Sequence, residues 1–195
     1  MDSQKIGALL FGLRKEKNLT QKQLSEKLHI SDKTVSKWER GAGYPDIAML
    51  RQLSEVFGVD VEKILLGDLN ANKADGGNMK RVKFYVCPNC GNTLTATGGD
   101  EISCCGRKLS PQKAQTPDEE HAMTVEIVEN DYYITFSHEM TKQHYITFAA
   151  YVDLDRMLLI KLYPEQNSAI RFPKMHSGKL YYHCNRHGLW VRSLP

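Results

Sequence analysis

Apolar residues near the start of the chain recur at Ile6, Leu9, Leu10 and Leu13, the i, i+3, i+4, i+7 spacing of an amphipathic helix. TQKQL (20–24) opens a second helix, with Thr20 as N-cap and Gln23 three residues on, a capping box. Ser31 caps a third within ISDKTVSKWERG (30–41). A fourth follows Pro45, with a predicted buried stripe of Ile47, Leu50, Leu53 and Phe57 and a stop at Gly58. VDVEKILLG (59–67) predicts a short fifth helix capped by Asp60.

Beyond residue 67 the period changes. Residues 68–82 are rich in Asn, Asp and Gly without periodicity, which predicts a linker. DYYITF (131–136), HYITFAAYVDL (144–154), RMLLIKLY (156–163) and KLYYHC (179–184) are β-branched and aromatic runs between turn residues, the pattern of antiparallel strands. The predicted fold class is multidomain α + β: a helical bundle, a small cysteine-rich β module and a larger β domain.

Composition adds little until the cysteines are considered. At 41% hydrophobic and 25% charged residues, the 195-residue chain is ordinary for a globular protein. No apolar run approaches the ~20 residues of a membrane span, and the start has no signal-peptide pattern. A cytoplasmic protein with no membrane partner is the expectation, and five cysteines there point to metal or redox chemistry rather than disulfides. Net charge is +3, and residues 1–67 carry 11 Lys/Arg against 9 Asp/Glu. Any nucleic-acid contact must therefore come from where charges sit, not from their sum.

TQKQLSEKL and SDKTVSKWERG, joined by His29 and Ile30, fit a helix-turn-helix. Val35 and Trp38 supply an inward face. Lys33 and Lys37 project together on another, with Asp32 and Thr34 near the helix start. Lysine can donate to guanine O6/N7, threonine can meet a thymine methyl, and Gln21 and Arg40 lie where they could hold phosphates. The plain alternative is a small bundle with solvated lysines. The segment LRKEKNLTQKQLSEKLHISDKTVSKWERGAGYPDIAMLRQLSEVFGVDVEKIL resembles the Xre/Cro-type helix-turn-helix domain of bacterial and phage repressors. That resemblance implies a five-helix DNA-binding domain over 1–67, acting as a homodimer on a partly palindromic double-stranded operator. In it Asp32, Lys33, Thr34 and Lys37 would face bases and Gln21 the backbone.

FYVCPNCGNTLTATGGDEISCCGRKL (84–109) holds Cys87, Cys90, Cys104 and Cys105. A Cys-x2-Cys turn brings two thiolates onto one ion, and the adjacent pair completes a four-sulfur set suited to zinc or iron. A vicinal disulfide is the alternative, disfavoured by a reducing compartment. The vicinal pair resembles the desulforedoxin-like module of desulfoferrodoxins, which implies a domain over 83–112 holding iron or zinc in a structural or electron-relay role.

The last third adds His121, His138, His144, Cys184 and His187. His187 can share an ion with Cys184 because Asn185-Arg186 turns the chain, whereas His183, adjacent on a strand, points to the opposite face. His29, His176 and His183 are taken as structural or surface residues. Four imidazoles and a thiolate would leave an octahedral iron with one open position. Residues 119–190 resemble the ferrous-iron domain of desulfoferrodoxin and neelaredoxin, the superoxide reductases, at His121, HEMTKQHYI and CNRHGLW. The resemblance implies an immunoglobulin-like antiparallel β-sandwich over 118–195. It also implies non-haem iron on four histidines and Cys184, one-electron reduction of superoxide to hydrogen peroxide, and a rubredoxin-like donor.

The chain departs from that family where charge matters. Glu119 keeps the expected carboxylate, but Glu120 stands where the family has a catalytic lysine, and Glu139 where it has proline. Lys142 and Arg186 are the candidates to compensate. Two functional readings follow: a transcriptional regulator whose iron domain senses or reduces superoxide, and a working superoxide reductase with an accessory DNA-binding domain. A third makes both metal sites mere folding aids.

Overall fold

The structure is a computed structural model describing residues 2–70, 77–99, 101–175 and 178–195, and it divides into two compact units, 1–71 and 72–195. Part of the 68–82 linker segment and His176 lie outside the described residues.

The first unit consists of α1 (Ser3–Glu16), α2 (Gln21–Leu28), α3 (Asp32–Glu39), α4 (Ile47–Phe57) and α5 (Val61–Leu66). The capping box at α2 is present in both directions: Gln23 N–H donates to Thr20 Oγ1 at 3.1 Å and Thr20 N–H to Gln23 Oε1 at 2.8 Å. Ser31 Oγ accepts from Thr34 N–H at 3.1 Å and starts α3. Leu10, Leu13, Leu24, Leu28, Val35, Trp38, Leu50, Leu53, Phe57 and Ile64 form one core. Helix α1 lies so close to the end of α3 that a Cβ on Gly7 would sit 2.4 Å from the Trp38 carbonyl oxygen, so only glycine fits there.

Two expectations are corrected here. Ile47 is 88% exposed; it is the first residue of α4, and its side chain points back past the helix end, beyond the reach of the core. Asp60 occupies the N-cap position of α5 but makes no side-chain capping bond.

The second unit starts with a 3-10 turn at Met79–Arg81 and two small hairpins, β1 (Lys83–Val86) with β2 (Thr93–Ala96) and β3 (Ile102–Cys104) with β4 (Arg107–Leu109). Then come β5 (Ala114–Gln115), β6 (Met123–Val128), β7 (Asp131–Phe136), β8 (Ile146–Val152), β9 (Met157–Lys161), β10 (Ala169–Pro173), β11 (Lys179–Cys184) and β12 (Gly188–Ser193). One sheet has the order β10-β7-β6 and the other β5-β12-β11-β8-β9. Pairing is antiparallel except between β12 and β5.

Both sheets share one core. Tyr132, Ile134 and Phe136 alternate inward on β7 and meet Tyr151 of β8 and Leu180 and Tyr182 of β11. Strand β8 is buried along nearly its whole length because its other face is covered too. Phe148, Ala150 and Val152 pack there against Val82 and Phe84, so the first hairpin is seated on the outside of the five-stranded sheet.

Candidate metal centres

The four cysteines of the first hairpins converge. A tight turn with Gly91 N–H donating to the Cys87 carbonyl at 2.9 Å places Cys87 and Cys90 side by side. The β3–β4 turn, with Cys105 in the left-handed region at φ 51°, brings up the other two. Cys90 Sγ lies 3.6 Å from Cys104 Sγ, which lies 4.0 Å from Cys105 Sγ. Four sulfurs around a tetrahedral ion at about 2.3 Å stand about 3.8 Å apart, so the spacing fits one metal. All five cysteines are free thiols, so the vicinal pair is not bridged. Backbone N–H groups of Cys90 and Asn89 hold the Cys87 thiol down to about 6. The neighbouring Cys90 and Cys87 thiols push Cys104 up to about 12.

The second cluster is drawn from three places: His121 before β6, His138 and His144 in the β7–β8 connection, and Cys184 and His187 at the β11–β12 turn. One potential ligand atom from each lies within 4.8 Å of all the others. The register of β11 on β8 shifts between His183 and Cys184, a bulge that aims Cys184. Its buried sulfur accepts from Arg186 N–H at 3.4 Å. His183 takes the other face, stacked on Phe148 and paired with Thr147 Oγ1 at 2.9 Å. Burial, with the nearby Lys161 charge, pulls its pKa down to about 4.

Hydrogen bonds select which ring nitrogens face inward. His121 Nδ1 donates to Asp118 Oδ1 at 2.6 Å, His138 Nδ1 to the Glu139 carbonyl at 2.5 Å, and His144 Nδ1 to the Glu139 carboxylate at 3.0 Å. Each bond leaves Nε2 to point toward the cluster. His187 is the exception and turns Nδ1 inward, 2.9 Å from His121 Nε2 and 3.7 Å from Cys184 Sγ. Two nitrogens bound at right angles to one ion at about 2.1 Å are about 3.0 Å apart. His138 Nε2 and His144 Nε2 are buried with no partner among the described residues, an arrangement that costs free energy unless something else satisfies them. Burial also lowers the His138 pKa, which keeps its nitrogen neutral and available. The donor set fits a transition metal, with imidazole and thiolate around a half-buried point.

Comparison with known proteins divides the chain in the same place. Residues 12–64 match the helix-turn-helix family. The HTH-type transcriptional activator BcrR of Enterococcus faecalis is 39% identical over 77 residues, a match spanning 38% of this chain and 38% of the activator's own length. A desulfoferrodoxin from Clostridium acetobutylicum is 28% identical over 117 residues, covering 56% of this chain and 94% of the relative; one from Nitratidesulfovibrio vulgaris is 29% identical over 120 residues. The N-terminal third is a helix-turn-helix domain of the Xre type, and the rest of the chain is homologous to desulfoferrodoxin. The crystal structure of the superoxide reductase from Treponema pallidum shares this fold, with a TM-score of 0.50 at 20% identity over 57% of this chain and 97% of that one.

Within the desulfoferrodoxin-like part, two carboxylates named from the sequence precede His121 on the surface. Glu119 and Glu120 are exposed, and the acid of this segment that touches a cluster histidine is Asp118, which also accepts from His121 N–H at 2.9 Å. Sequence reasoning missed Asp118; its only signal is the Asp-x-x-His spacing of a turn. Trp190, stacked on His121 with ring centroids 4.3 Å apart, was also missed as part of the site. Lys142 pairs with Glu165 at 3.8 Å, and Arg186 Nε donates to the Gln143 carbonyl at 3.1 Å.

In the helix-turn-helix domain Asp32, Lys33, Lys37 and Arg40 are exposed along α3, while Thr34 is half-buried with its hydroxyl against Ser31 Oγ at 2.8 Å. Gln21, the first residue of α2, donates its Nε2 to Glu39 Oε2 at 2.9 Å. Glu39 is already clamped by Arg14, whose Nε and Nη2 donate to its two oxygens at 2.6 and 2.8 Å. No helix among the described residues is long and apolar enough to cross a membrane.

Proposed function

We propose that this protein is a DNA-binding transcriptional regulator whose desulfoferrodoxin-like part binds iron and senses or reduces superoxide. The observation that carries the reading is the pair of buried, unpartnered Nε2 atoms of His138 and His144 facing Cys184 and two further histidines, in a chain that also holds a helix-turn-helix. In this reading His121, His138, His144, Cys184 and His187 hold non-haem iron, which supplies a one-electron couple when bound. Cys87, Cys90, Cys104 and Cys105 hold iron or zinc. The division into 1–67, a linker at 68–82, 83–112 and 118–195 belongs to the same proposal, as does an immunoglobulin-like sandwich for the last part; two sheets sharing one core support it. Asp32, Lys33, Thr34 and Lys37 of α3, Arg40 at its end and Gln21 at the start of α2 meet a double-stranded operator, with the chain acting as a homodimer in the cytoplasm.

Sensing is favoured over fast turnover by the charges around the cluster. Glu119, Glu120 and Glu139 put carboxylates on the surface beside it, and anions approach negative surfaces slowly. The second reading, a superoxide reductase fed by a rubredoxin-like donor with an accessory DNA-binding domain, rests on the complete four-histidine, one-cysteine set.

The test uses the full chain purified without oxygen and loaded with ferrous iron. Iron content, the visible spectrum before and after mild oxidation, and operator affinity in both states are measured for the wild type and Cys184→Ser. A thiolate-to-iron absorption that Cys184→Ser abolishes, with an operator affinity that changes between states, supports the regulator. Unchanged operator affinity with rapid superoxide consumption supports the reductase. No iron uptake sinks both.

A further inference from the structure

The β7–β8 connection carries an acid with two separate contacts to the cluster. The Glu139 carbonyl accepts from His138 Nδ1 at 2.5 Å, and its carboxylate accepts from His144 Nδ1 at 3.0 Å. These are the same two imidazoles whose Nε2 atoms are buried without a partner. The loop holds the arrangement from outside: His144 N–H donates to Thr141 Oγ1 at 3.0 Å, and Glu165 N–H donates to the Met140 carbonyl at 2.6 Å. One residue thus fixes the tautomer and orientation of half the histidine set. It also sets a formal negative charge one imidazole away from the metal position.

We propose that Glu139 is a positioning residue that tunes the redox balance of the centre, holding it toward its oxidised state. This rests on the reading of the cluster as an iron site. A carboxylate accepting from the far side of an imidazole makes the inward nitrogen a stronger donor. An oxidised iron carries one more positive charge than a reduced one, so it gains more from that donor and from the carboxylate's own charge. The Glu139 side chain is 60% exposed, so water screens the charge and the effect is moderate. Asp118 does the same for His121, but its side chain belongs to a different loop, so the two contributions are separable by mutation. The consequence for a sensor is direct. A centre biased toward the oxidised state registers a small oxidant dose and returns only when a strong reductant is present.

The experiment is a mediated redox titration of the iron-loaded full chain, following the oxidised absorption band, for wild type, Glu139→Gln and Glu139→Ala. Gln keeps an acceptor oxygen for His144 and removes only the charge. Its expected effect is about a tenfold loss of preference for the oxidised state, a rise of about 59 mV in midpoint for one electron. Ala removes charge and acceptor, and the same rise is expected together with iron binding weakened about tenfold. A purely structural Glu139 gives the opposite pattern, with weaker binding in Ala and an unmoved midpoint in both variants, and that overturns the proposal. If the wild-type chain takes up iron and shows the redox band, an unmoved midpoint counts against Glu139 alone. If it takes up no iron, the iron reading falls and this proposal falls with it.

Discussion

In the helical unit, the buried Arg14 guanidinium gives two N–H groups to Glu39 and a third to the Leu19 carbonyl at 2.8 Å, and Gln21 completes the Glu39 oxygens. In the β unit, four imidazoles have their outer nitrogens placed by hydrogen bonds or by the chain, and two inner nitrogens are left without a partner. The first network is buried and the second half-buried; both are charged or chargeable and built from residues far apart in sequence. The first is closed: each strong donor and acceptor meets another. The second is closed on the outside and open on the inside. A closed network serves the fold, whereas an open one is a place kept for something else.

The largest expected effect comes from breaking the closed network. Arg14→Ala leaves Glu39, whose side chain is 4% exposed, with an unpaired buried charge, and about 3–5 kcal/mol of stability should be lost from the helical unit. Hydrogen exchange read segment by segment checks this, with protection falling in α1–α3 and unchanged in β7 and β8. The pair also sets an acid limit. Burial pushes the Glu39 pKa up, but the hydrogen bonds from Arg14 and Gln21 outweigh it and hold the group below its ordinary 4.5. With the folded pKa depressed, the contribution is fully present above pH 4.5 and is lost as pH falls through the folded value. Denaturant midpoints at pH 7 and pH 3 should show the difference in wild type.

Filling the open network should act on the other unit alone. Ferrous iron or zinc at about a hundred times its dissociation constant is expected to add about 2.7 kcal/mol to the β unit and nothing to the helical one. Trp190 lies against His121, so its fluorescence should respond to metal while the buried Trp38 of the helical unit should not. A metal effect on the exchange of α1–α3 equal to that on the β unit would erase the contrast.

Asp118→Asn is a smaller perturbation of the same site. The His121 bond survives with a neutral acceptor, so metal affinity is expected to fall about 10-fold and the fold to stay intact. The hydrogen bonds from His121 already hold the Asp118 carboxyl below its ordinary range, so it remains charged across the usual working pH.

These contrasts show why parts of the molecule were legible from the sequence and parts were not. Thr20 with Gln23, and the strands 131–136 and 179–184, are local: the capping atoms or alternating faces lie within a few residues, and the chain forms what its spacing says. The five cluster residues are recognisable as types because imidazole and thiolate at such spacings are rare. Asp118 was invisible because an acid in a turn is ordinary, and only the fold shows which ring it faces. The Gln21 bond to Glu39 was likewise invisible, because its partner lies eighteen residues away. Ile47 misled because periodicity says which side of a helix is apolar but not where the neighbouring core ends. β6, β10 and β12 went unassigned: β6 is half exposed, β10 is short and ends in Pro173, and β12 starts at a glycine.

The smallest expected effect is the most discriminating between sequence and structure. Glu119 and Glu120 are the carboxylates that the sequence puts forward, yet both are exposed, and the contact to the cluster is made by their neighbour Asp118. Glu119→Gln and Glu120→Gln should therefore change stability by less than about 0.5 kcal/mol, as exposed substitutions do. Metal affinity should remain within about twofold, against about tenfold for Asp118→Asn. Side-by-side metal titrations of the three variants decide the matter. If the neutral Glu119 variant weakens the metal as much as Asp118→Asn, the distinction drawn from the geometry is wrong: a carboxylate's charge would then act on the site whether or not it contacts His121.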